Sequence, residues 1–88
     1  MLIIQNTGAE PLYTFTITRD AAALVEWIPC TEPTRCEGIA PGGHRELPYS
    51  EVYGYTPATR ELLVYGWNLV PGENGFTVGT MRVVVVRV

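Results

Sequence analysis

Apolar and polar positions along this chain repeat mainly with a period of two residues, the signature of strands and not of helices. The cleanest case is Leu12 to Thr18, where Tyr13, Phe15 and Ile17 point one way and Thr14, Thr16 and Thr18 the other. That alternation predicts a half-buried antiparallel strand whose threonine face is wet. The stretch Arg60 to Val70 is the longest nearly uncharged run that keeps the same order. Leu63, Tyr65, Trp67 and Leu69 share one face, and Leu62, Val64, Gly66, Asn68 and Val70 the other. A strand with apolar groups on both faces belongs in the middle of a sheet. It is expected to be the element around which the rest is organised.

The other elements follow from punctuation. Leu2 to Asn6 reads as a short first strand ended by the turn residues Asn6-Thr7-Gly8. Pro11 opens the second strand, where a missing N–H is tolerated. Ala21-Ala22-Ala23-Leu24 has helix propensity but is too short to nucleate a helix before Pro29, so it predicts a turn into a third strand, Leu24 to Ile28. Residues 29–43 hold three prolines, three glycines and both cysteines, which predicts an irregular loop. His44 to Leu47 is then a short polar strand, and Pro48 to Val52 a single helical turn. After the central strand, Pro71 to Gly75 predicts a hairpin loop, Gly79 a bulge, and Met81 to Val88 a final strand. About six strands and at most a single helical turn make this an all-β chain. We expect residues 1–88 to form one small antiparallel β-sandwich, with a small open barrel as the alternative. Phe15, Ile17, Trp27, Tyr65 and Trp67 are expected to line its interior.

A resemblance rests on the turns. Asn6-Thr7-Gly8 followed by Pro11 at a strand start, and Ala40-Pro41-Gly42 before a short strand, resemble the immunoglobulin-like modules common in bacterial proteins. The resemblance implies a binding or spacer role. The chain departs from antibody-type domains in having both cysteines in one loop and not bridging two sheets.

Composition narrows the function classes. At 88 residues, 47% apolar and 17% charged, the chain has the make-up of a folded domain. No segment approaches the ~20 apolar residues of a membrane-spanning helix. Six Arg and no Lys face nine acids, for a net charge of −3. No basic stripe is available to neutralise phosphates, which argues against nucleic acid as a partner. Met1-Leu2-Ile3-Ile4 lacks the features of a signal peptide, so a cytoplasmic location is favoured, or an exported one if a leader has been removed.

Four features carry candidate chemistry. Cys30 and Cys36 are spaced Cys-x5-Cys, unlike zinc ribbons or thioredoxin-like motifs. They are a disulfide candidate in an oxidising compartment and free thiols otherwise, and with the single histidine, His44, they define a metal- or redox-responsive alternative. His44 itself has no evident nucleophile to activate: Ser50 lies in no nucleophile elbow, and Glu46, Glu51 and Glu61 sit at outward or turn positions. Tyr49, Tyr53 and Tyr55 cluster in a loop, where they either cap the core or offer a protein-contact surface, with carbohydrate stacking a third reading. Arg82-Val83-Val84-Val85-Val86-Arg87 is either an internal strand or an adhesive edge through which two copies pair as a homodimer. The expectation is a non-enzymatic interaction module with a protein partner, without cofactor, metal, nucleic acid or membrane.

Overall fold

A computed structural model describes residues 1–88. Six strands are present: β1 (Leu2–Gln5), β2 (Leu12–Thr18), β3 (Gly38–Ile39), β4 (His44–Leu47), β5 (Glu61–Gly72) and β6 (Gly75–Arg87). They make two antiparallel sheets, a four-stranded one in the order β3-β2-β5-β6 and a two-stranded one of β1 and β4. β5 is central as its two-sided apolarity predicts, with Phe15 opposite Tyr65 on one flank and Val83 opposite Tyr65 on the other. The chain turns tightly at Glu73-Asn74, and Gly75 takes a φ of 117°, a left-handed value that glycine tolerates. The expected bulge is present, Gly79 and Thr80 lying opposite the lone Asn68.

Helix is confined to two single turns. One, α1 (Arg19–Ala22), begins where the Thr18 hydroxyl accepts from the Ala21 N–H at 3.2 Å. The other is the expected turn after Pro48, a 3₁₀ turn over Tyr49–Glu51. The third strand expected at Leu24 to Ile28 does not form. Its alternation is real, since Val25 and Trp27 are half-buried and Glu26 is exposed, but the segment joins no ladder. Side-chain period reports which groups are covered, and pairing needs a free neighbouring edge as well.

The two layers meet over an aliphatic core. Leu2 and Ile4 of β1 pack with Ile39, and Leu12, Leu47, Tyr49, Val64 and Val86 close around them. This corrects one expectation and relocates another. The threonine face of β2 is turned toward the second sheet and is not wet: Thr16 and Thr18 are buried. Phe15, Ile17, Tyr65 and Trp67 lie on the opposite, outer face of the large sheet, with Phe15 opposite Tyr65, Ile17 opposite Leu63 and Trp67 opposite Tyr13; Ile17 and Trp67 are buried there as expected, but away from the second sheet. There they form a second cluster, roofed by Trp27 from the irregular segment.

Asn6 holds the end of the structure where these parts join. It is 5% exposed, and its side-chain amide donates to the carbonyls of Glu10 (2.7 Å) and Ile39 (2.8 Å). Its Oδ1 accepts from the Gly8 N–H at 2.9 Å, and its main chain exchanges bonds with Gly42 and Gly43. One asparagine thus ties β1 to the following turn, to β3 and to the turn before β4.

Candidate functional site

β6 is the outermost strand of the large sheet and the longest strand in the chain, 13 residues, with no element beyond it. The phase of its hydrogen bonds follows from one contact. The Val88 N–H donates to the Arg60 carbonyl at 2.9 Å, in line with the β5–β6 register. In an antiparallel ladder, hydrogen-bonded and non-hydrogen-bonded pairs alternate. Arg82, Val84 and Val86 therefore direct their N–H and C=O groups into β5, while Met81, Val83, Val85 and Arg87 direct theirs outward. The Thr18 N–H, which reaches away from β5 to the Tyr53 carbonyl at 3.0 Å, fits the same phase on the far side of the sheet.

The side chains along this edge are equally uncovered. Val83, Val84 and Val85 are 52%, 57% and 48% exposed, and Phe76, Met81 and Val70 extend the apolar strip. The β1–β4 layer reaches Val86 but not Val84, so the inner face near the edge is also open. No proline interrupts β6, and the only charges in Met81 to Val88 are Arg82 and Arg87, neither in an ion pair. Native sheets usually blunt such an edge. The opposite edge is blunted: β3 is two residues long.

On the outer face, Trp27 packs against Phe15, Tyr65 and Trp67 with ring centroids 4.6, 4.8 and 5.8 Å apart. Cys30 and Cys36 are joined in a disulfide, with Cα atoms 6.0 Å apart. The Trp67 indole N–H donates to the Cys30 carbonyl at 3.0 Å, which ties the small disulfide loop to the aromatic cluster. A cleft of about 360 Å³ runs between them, bordered by Phe15, Trp27, the disulfide, Arg35 and Glu37.

The three loop tyrosines do not form one surface. Tyr49 is half-buried against the aliphatic core, and its ring stacks on Tyr55 at 6.3 Å. Tyr53 is 54% exposed and leans toward the outer-face cluster, 6.4 Å from Phe15. His44 is exposed at the start of β4 opposite Gln5, and no group of three His, Cys, Asp or Glu side chains converges anywhere. Two features lay outside the sequence reading: the buried role of Asn6 and the alternating free groups of β6. The second had a local signal, the arginines bracketing four valines. No protein-family model, curated protein or solved structure gives a significant match to this chain.

Proposed function

We propose that this chain is a non-enzymatic interaction module of immunoglobulin-like, β-sandwich type that binds protein by adding a strand to the free edge of β6. The observation that carries this is the row of outward N–H and C=O groups at Met81, Val83, Val85 and Arg87, set among exposed valines. In strand addition, main-chain hydrogen bonds supply affinity and alternate side chains supply selectivity. Two antiparallel layers over an aliphatic core support the immunoglobulin-like assignment, and Tyr53, the exposed member of Tyr49, Tyr53 and Tyr55, adds protein-contact area on the outer face.

The test is an NMR titration of the labelled protein, at a concentration low enough to keep it monomeric, with a capped nine-residue peptide of alternating Val and Thr carrying Glu at each end. The amides of Val83 and Val85 should shift and gain exchange protection, while those of Val84 and Val86 stay protected throughout. A titration that leaves β6 unmoved overturns the proposal.

A second reading has its own observation. The Cys30–Cys36 disulfide is coupled through the Cys30 carbonyl to Trp67, so a redox-responsive module would signal through the aromatic face. Reduction should then change tryptophan emission and the accessibility of Trp27, and an unchanged spectrum after complete reduction rejects it.

A further inference from the structure

We infer that the strand received by β6 is the β6 of a second copy, paired antiparallel about a two-fold axis at Val84. This rests on the strand-addition reading and supplies its occupant. The free edge is complementary to itself. Within the regular part of β6, below the bulge at Gly79-Thr80, the residues with outward main-chain groups are Met81, Val83, Val85 and Arg87. That set is symmetric about Val84.

An axis normal to the sheet at Val84 sets Met81 against Arg87 of the second copy, and Val83 against Val85 of the second copy. All four free residues then meet free residues. Each such pair exchanges two N–H···O bonds, about eight across the axis. The side chains agree as well. Opposed residues in an antiparallel sheet share a face, so Val84 meets Val84 on the inner face and Val83 meets Val85 on the outer. These are the three most exposed positions of the Val83–Val86 run.

Other self-registers do worse. The sequence palindrome Arg-Val-Val-Val-Val-Arg invites an axis between Val84 and Val85, but that shift opposes outward groups with inward ones and places Arg82 against Arg87. Moving the axis to Val83 sets Arg87 against the bulge at Gly79, and moving it to Val85 leaves Met81 facing no residue of β6. With the axis at Val84, Arg82 faces Val86 and Arg87 faces Met81, so no like charges oppose. The resulting isologous contact closes the one long edge and leaves the two-residue β3 as the outer margin of a continuous sheet.

The experiment pairs cross-linking with equilibrium sedimentation. At a non-hydrogen-bonded axial pair the Cα atoms lie ~4.5 Å apart, within disulfide reach. Val84→Cys should therefore oxidise to a covalent dimer at least tenfold faster than Arg87→Cys, whose two copies would lie roughly 20 Å apart. Peptide mass mapping of each variant checks that Cys30 remains bonded to Cys36. The unmodified chain should show concentration-dependent dimer. Val85→Pro removes an outward N–H and leaves the β5–β6 ladder intact, so it should stay folded by circular dichroism and raise the dimer dissociation constant at least tenfold. Val85→Lys provides the same comparison should the proline variant fail to fold. Equal cross-linking rates, or dimer that persists in a folded Val85 variant, overturn the inference. A strictly monomeric chain whose Val83 and Val85 amides are still protected by the Val/Thr peptide removes the second copy and keeps the strand-addition reading. A monomeric chain that also ignores the peptide removes both.

Discussion

Replacing Asn6 by alanine tests how the parts of this fold are joined. The substitution deletes three side-chain hydrogen bonds, to the Glu10 carbonyl, the Ile39 carbonyl and the Gly8 N–H, and leaves the main-chain bonds to Gly42 and Gly43 in place. The Ile39 carbonyl is buried and loses this donor, which costs about 1–3 kcal/mol. The other two partners are only partly buried, so water replaces much of what is lost and each contributes about 0.5 kcal/mol, the low end of the usual range. The total is about 3 kcal/mol, a large share of the stability of a domain this size. For such domains this corresponds to a fall in Tm of roughly 12–24 °C. Thermal and urea unfolding followed by circular dichroism read it, with the urea slope unchanged so that the shift reports stability alone. Asn6→Asp is a sharper variant, because it keeps the acceptor for Gly8 but turns a carboxylate oxygen toward two carbonyls. It should be at least as destabilising as alanine. A loss below about 0.5 kcal/mol in either variant would refute the reasoning, since that is what an ordinary exposed turn residue gives.

Other consequences follow from single contacts. Replacing Cys30 and Cys36 together by serine opens a loop spanning a sequence separation of six and should cost about 2 kcal/mol in denaturant unfolding. Gly54→Ala places a Cβ 2.5 Å from that of Ala21 and 2.9 Å from the Thr18 hydroxyl at a φ of +81°, so it should lower stability by about 2–4 kcal/mol and displace the turn over α1. Tyr49→Ser should cost about 1–2 kcal/mol through lost packing on the core and on Tyr55, and Tyr53→Ser less than about 1 kcal/mol, as chemical denaturation of the two variants would show.

Much of the architecture was legible because it depends on local chemistry. Apolar groups on both faces put β5 in the middle of a sheet, Gly79 marked a bulge, and Pro48 opened a single helical turn. What was not legible depends on long-range order. Both faces of β2 and β5 carry groups that pack well in a sheet, so no local pattern says which face meets the second layer. The aliphatic side of β5, with the threonines of β2, lies inside, and the aromatic side is roofed by a loop. Thr16 reads as polar in a pattern count, yet its branched side chain packs well on a pleated sheet. Four consecutive valines suit an internal strand or an edge equally, and only the strand order β3-β2-β5-β6 decides. Asn6 looks like any turn asparagine until the turn before β4 folds back onto it. Tyr49 and Tyr53, four positions apart, are separated because the chain between them makes a 3₁₀ turn and then runs along the edge of β2 at Ile17.

Residue-resolved amide hydrogen exchange of β6, at a protein concentration low enough to keep the chain monomeric, tests the central claim most directly. An open edge predicts a two-residue alternation, with Arg82, Val84 and Val86 slow because their N–H groups bond into β5, and Met81, Val83 and Val85 fast because theirs face water. Uniformly slow exchange from Met81 to Arg87 would mean that another part of the chain covers this edge, and would contradict the account.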